Sequence, residues 1–238
     1  MRSFWYHRPD EDHPPPLVRH PDEIGESDRL AVAPFAPDLT SSGRRALLRE
    51  WCSALDSLSG VRLLWVTSRV PQALFEAACR VEGLEGLWIK HSAIRSLEAV
   101  AEANALRFFH LGSSTALESI APLESCQRLR VLGLENIKRI SRLDELRSLH
   151  SLEELSVQGS MWTTQRVETL EPVGALSELR YLSIVNLRSA DKTLRPLFKL
   201  RKLECFYSAL WWDQAELDEL RAVNPKLQDG REGENLAS

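Results

Sequence analysis

One short pattern, L-x-x-L-x-L, recurs along most of this chain and limits what it can fold into. It reads Val61-Leu64-Val66, Leu84-Leu87-Ile89, Leu106-Phe109-Leu111, Leu129-Leu132-Leu134, Leu152-Leu155-Val157, Leu179-Leu182-Ile184 and, degraded, Leu203-Phe206-Ser208. Successive starts lie 23, 22, 23, 23, 27 and 24 residues apart. The final x-L-x-L alternates apolar with other residues, which is the period of a strand that buries one face. A unit this short holds one strand and one return segment and cannot bury its apolar side alone, so its neighbours must stack on it.

A second register precedes each strand pattern, with apolar residues at every third position. Examples are Cys52, Leu55, Leu58; Phe75, Ala78, Val81; Leu117, Ile120, Leu123, Cys126; and Leu194, Leu197, Leu200. Threefold spacing suits short 3₁₀ or irregular helical turns better than a long α-helix of 3.6-residue period. With both registers repeating in phase from Val61 to Ser208, the sequence resembles the leucine-rich-repeat family in about seven units. The resemblance implies an α/β fold: a solenoid with a parallel concave β-sheet and short helical or 3₁₀ convex segments, with helical caps at both ends. The asparagine that closes the family's strand segment is replaced here by Arg69, Ser92, Ser114, Ile137, Ser160 and Leu187. Serines are therefore expected to satisfy buried backbone groups in part.

An array exposes its core at both ends unless atypical units cover it. Leu30 to Phe35 reads as a strand, and Thr40, Ser41 or Ser42 as the cap of a helix carrying Leu47, Leu48, Trp51, Leu55 and Leu58. After the last unit, Asp213 reads as the N-cap of a helix that Asn224-Pro225 ends. The expected organisation is a flexible proline-rich arm (1–28), a capping strand and helix (29–60), the repeats (61–210), a capping helix (211–227) and a mobile tail (228–238).

The formal net charge of -4 argues against a partner held through phosphates, for which a basic domain or stripe is expected. No apolar run approaches the roughly 20 residues that span a bilayer, and the first twenty residues lack a leader's apolar stretch. Cys52, Cys79, Cys126 and Cys205 show no C-x-x-C pairing, so a reducing, cytoplasmic compartment is expected. No nucleophile elbow, metallopeptidase helix or phosphate-binding glycine loop is present. An enzyme, a cofactor and a metal are not expected.

Residues between the inward leucines alternate onto the concave face. Trp65, Trp88, Phe108 and His110 fall there on adjacent strands, with Lys90 and Glu135 one step further along and Tyr181 and Tyr207 towards the far end. Such rigid aromatics are typical interface anchors; the alternative is that they stack on one another or lie under Phe4, Trp5 and Tyr6 of the arm. The 27-residue unit carries extra residues in which Met161 and Trp162 either fold back on the next unit or meet a partner. Cys205 is placed outward and accessible, Cys52 and Cys126 inward. The resemblance implies a non-enzymatic protein-binding module, extended by its architecture to an inhibitor or an immunity protein against a toxin. The alternative is a structural or adaptor protein that self-associates through the same face.

Overall fold

The computed structural model of the chain describes residues 15–35, 39–209 and 212–230. Phe4, Trp5, Tyr6, Trp211 and the end of the tail lie outside them. The strands are β1 (Leu17–Val18), β2 (Arg29–Val32), β3 (Leu63–Val70), β4 (Gly86–Ser92), β5 (Phe108–Leu111), β6 (Val131–Glu135), β7 (Glu154–Gln158), β8 (Gln165–Val167), β9 (Tyr181–Ser183), β10 (Leu187–Ser189), β11 (Cys205–Tyr207) and β12 (Gln228–Gly230). Ten of them form one sheet in the order β1-β2-β3-β4-β5-β6-β7-β9-β11-β12, and every pairing in it is parallel. The other two, β8 and β10, make a separate parallel ribbon.

The register explains why the leucine pattern must hold unit by unit. Leu30, Leu64, Leu87, Phe109, Leu132, Leu155, Leu182 and Phe206 stand side by side across the sheet, and none is more than 4% exposed. Each such side chain contributes about 1.5–3 kcal/mol of burial, realised only because the next unit covers it. Returns between the middle strands run through 3₁₀ turns at Glu98–Glu102, Ala121–Ser125, Asp144–Ser148, Val173–Ala175 and Arg195–Lys199. The first return differs. Gln72–Cys79 is a true α-helix, α2, and it buries Leu74, Phe75, Ala77, Ala78 and Cys79.

Helices α1 (Ser41–Asp56) and α3 (Gln214–Val223) flank the array. Thr40 Oγ1 accepts from Gly43 N at 3.1 Å, and α1 buries Leu47, Trp51 and Leu55. Asp213 Oδ1 accepts from Glu216 N at 3.1 Å, and α3 buries Leu220.

Four expectations are corrected. The proline-rich arm does not extend to residue 28: β1 adds to the edge of β2, and Trp51 Nε1 donates to Arg19 O at 3.4 Å. An edge strand presents unpaired backbone groups that a short added strand satisfies, which is also why Gln228–Gly230 pairs with β11 instead of belonging to a mobile tail. Cys205 is 8% exposed, so its thiol is withdrawn, whereas Cys52 is only partly buried.

Where the family's asparagine is missing, Ser92 and Ser114 share a buried 2.6 Å hydrogen bond, and Ser92 Oγ also accepts from Ile94 N. Asparagines appear one residue earlier in two units, Asn136 at φ 52 and Asn186 at φ 51, in the left-handed region this residue type tolerates. A charge ladder, unread in the sequence, occupies the position just before each strand. Arg62 pairs with Glu85 at 2.8 Å, Arg107 with Glu85 at 3.6 Å, Arg130 with Glu153 at 2.7 Å and Arg180 with Glu204 at 2.6 Å. Half-exposed pairs of this kind contribute about 0–1 kcal/mol each, so they set register more than stability.

Candidate functional site

Two rows of side chains cross the sheet on the face away from the leucines. The first is Ala31, Trp65, Trp88, His110, Gly133, Ser156, Ser183 and Tyr207; the second is Leu63, Gly86, Phe108, Val131, Glu154, Tyr181 and Cys205. Trp88 and His110 stack, with ring centroids 5.5 Å apart and planes 13° from parallel. His110 can lie flat because its neighbour is Gly133, where a Cβ would stand 2.3 Å from Nδ1. Burial holds the His110 imidazole down at about 4, since an apolar surround disfavours the cation.

The expected aromatic patch exists but is less open than its sequence position suggested. Trp65 is 2% exposed and packs with Ala31 and Leu63, while Trp88 and Phe108 pack partly buried against that cluster. Trp65 therefore supports the wall of the face and offers little surface of its own. Trp88 Nε1 is buried without a hydrogen-bond acceptor among the described residues. Arg107 lies 5.5 Å from the Phe108 ring centre.

Tyr181 stands three strands from Phe108, roughly 14 Å at the ~4.8 Å strand spacing, and its hydroxyl donates to Glu204 at 3.4 Å. Tyr207 is 8% exposed. Lys90 is exposed and Glu135 half-buried, and burial raises the Glu135 carboxyl. Alternation in the sequence puts Glu154 on the second outward row without marking it as a site residue. It is 5% exposed, and desolvation pushes its carboxyl up to about 8. The position was readable from the register; the burial was not.

Met161 and Trp162 are 83% and 89% exposed, so of the two expectations for this segment, folding back is excluded. They sit on a braced turn. Ser160 Oγ accepts from Trp162 N and Thr163 N, and Asn186 Nδ2 donates to Ser160 O at 2.7 Å and to Thr163 O at 3.2 Å. A Cβ on Gly159 would lie 2.3 Å from Thr163 O and 2.5 Å from Asn186 O, so only glycine lets the strands approach here. Asn186→Ala removes the brace and puts alanine at positive φ. It is expected to cost about 1–3 kcal/mol and to speed amide exchange of residues 160–164 at least tenfold, read by exchange mass spectrometry. Unchanged exchange would show that Gly159 alone holds the turn.

No family model matches the chain, and no curated protein matches it. Solved structures do. Internalin C2 of Listeria monocytogenes aligns at a TM-score of 0.55 with 20% identity, over 75% of this chain and 72% of that one. Internalin F of the same species aligns at 0.57 with 15% identity, over 85% of this chain and 62% of that one. A leucine-rich-repeat protein of Leptospira interrogans aligns at 0.57 with 14% identity, over 84% of this chain and 52% of that one. The chain thus spans about three quarters of the first and between half and two thirds of the other two. Two registers in phase, an all-parallel sheet with 3₁₀ returns and these structural neighbours identify the chain as a leucine-rich-repeat solenoid by fold.

Proposed function

We propose that the chain is a non-enzymatic protein-binding module whose principal contact is the rim turn, with the half-exposed part of the concave face beside Trp88, Phe108 and His110 as a second contact. The observation that carries the reading is the pair Met161 and Trp162, held almost fully in water on a braced turn. Two large apolar side chains in that state are costly unless a partner covers them, and a preformed anchor avoids the ordering cost of binding. The finer form of the proposal is an inhibitor or immunity protein that neutralises a toxin, for which a rigid, preorganised surface is suited. The proposal keeps the chain in the cytoplasm, where four unpaired thiols persist.

The test is affinity capture from the source organism's lysate with the wild type and with Met161→Ser, Trp162→Ser. Both residues are exposed, so the melting temperature should be unchanged. A single protein retained by the wild type and bound at least tenfold more weakly by the variant is the expected result, as for an aromatic hot spot. Loss of that protein's own activity on adding the chain would support inhibition. Equal retention by both baits would move the contact off the rim, and a homodimer abolished by the same substitutions would favour the self-associating adaptor.

A further inference from the structure

Beside the rim turn, the ribbon of β8 and β10 forms the floor of an open cleft of about 580 Å³. It is lined by Arg166, Val167, Arg188, Ser189, Ala190, Lys192, Trp212 and Asp213. We propose that this cleft binds an acidic segment of the protein partner, with Arg166, Arg188 and Lys192 receiving its carboxylates. The inference deepens the protein-binding reading by stating the partner's chemistry, and it rests on that reading.

The charge arrangement is the first argument. Arg166 and Arg188 stand directly opposite each other in the parallel register, and like charges facing across strands destabilise a sheet. Neighbouring cations of the same end of the array are ion-paired, Arg142 with Asp144, Arg195 with Glu216 and Lys199 with Glu171. Arg166, Arg188 and Lys192 make none among the described residues. Asp213 is the cleft's one acid, and its side chain is engaged as the N-cap of α3. Three cations therefore face one occupied carboxylate, in a chain whose overall charge is -4; the local excess is not inherited from composition.

The second argument is independent of charge. Ser189 lines the cleft, is 4% exposed, and its hydroxyl has no hydrogen-bond partner. A buried hydroxyl left without a partner is destabilising, and an oxyanion in the cleft would supply the missing acceptor. Lys192 is held at φ 55, a conformation unfavourable for lysine that persists where surrounding structure imposes it. Trp212 is fixed by the bond from its Nε1 to Ser208 Oγ at 2.8 Å, so it presents an indole wall to an acidic peptide's apolar side chains.

Continuity with the rim turn makes a protein segment the occupant. Both strands of the ribbon start at the braced turn: Gln165 N donates to Asn186 O at 3.0 Å, Trp162 lies four residues ahead of Arg166 and Asn186 two ahead of Arg188. A partner whose apolar side chain covers Trp162 is thereby led onto the cations.

The experiment uses the full chain and hexaglutamate, followed by tryptophan fluorescence at constant ionic strength, with inorganic phosphate and hexalysine as separate titrants. All the substituted positions are exposed, and the melting temperature of Arg166→Gln, Arg188→Gln should be equal to or above that of the wild type. Saturable binding of hexaglutamate to the wild type, at least tenfold weaker in that variant and absent with hexalysine, is the expected result. Saturation by phosphate without hexaglutamate binding would make the cleft a small-anion site and overturn the proposal. Equal hexaglutamate binding by wild type and variant, or none by either, would also overturn it. Because the capture experiment reads Met161 and Trp162 and this one reads the cations, either can fail while the other stands.

Discussion

Phe109→Ala is expected to remove about 3–5 kcal/mol of stability, the range for truncating a buried phenylalanine. The side chain is fully buried, stands between Leu87 and Leu132 in the core row, and meets Phe75 of α2 with ring centroids 6.4 Å apart. No flexible surface borders the cavity that alanine would leave, so collapse around it is limited. Total stabilities of domains are about 5–15 kcal/mol, which makes this a large fraction. The position also matters because a solenoid's stability is close to a sum of unit terms and neighbour interfaces. Phe109 contributes to both interfaces of a central unit. Urea unfolding followed by far-ultraviolet circular dichroism should show a lower midpoint, and a broadened or two-step transition if the α1 and α2 side then melts apart from the rest. A loss below 1 kcal/mol would mean that Phe75 moves in to fill the space. Surface truncation of Arg142, whose pairs are 70% exposed on the arginine side, should by contrast move the midpoint little.

The parts of this protein legible in the sequence are those set by periodicity. Alternation placed Trp65, Trp88, His110 and Tyr207 on one row and Phe108, Glu154, Tyr181 and Cys205 on the other, and the register agrees. What alternation cannot state is how deep an outward side chain lies. Trp65 and Cys205 point off the leucine face yet are withdrawn from water, because the neighbours that bury them belong to other units and other rows. The two large exposed apolar residues of the rim were found from a different signal, an irregular repeat length. That length marked an insertion but did not reveal that the same insertion begins a second ribbon, in which Arg166 meets Arg188. The charge ladder from Arg62 to Glu204 was written in the sequence at one residue per unit, but its meaning depends on strands that stand adjacent, and Arg107 beside Arg130 breaks the alternation. The edge strands β1 and β12 were missed for a related reason: two or three residues carry no periodicity, and their pairing is dictated by the exposed edge they cover.

Glu154→Gln is expected to stabilise the protein at alkaline pH and to leave it nearly unchanged at acid pH. The carboxyl is 5% exposed among Val131, Tyr181 and Ser156, and burial raises it from the ordinary 4.5 to about 8. Below about pH 4.5 both folded and unfolded chains carry the proton, and the group exerts no pull on stability. Between 4.5 and 8 the unfolded chain releases its proton while the folded chain keeps it, so stability falls as pH rises, and above 8 the loss is complete. At about 1.4 kcal/mol for each tenfold change in proton affinity, the ceiling is about 5 kcal/mol; relaxation and water around the ionised group bring the expected gain for the glutamine variant to about 2–3 kcal/mol at pH 8.5. His110 acts in the opposite sense, since a partly buried neutral imidazole held at about 4 costs stability as pH falls from about 6.5, but it is present in both proteins and cancels in their difference. Urea midpoints for wild type and variant at pH 5, 6.5 and 8.5 make the measurement. A gap that opens steadily with pH establishes Glu154 as a carboxyl folded in its neutral form. A constant gap would mean that the group is already ionised at pH 5 and held by a cation, and the concave face would then have to be read as an occupied acidic site instead of an apolar one.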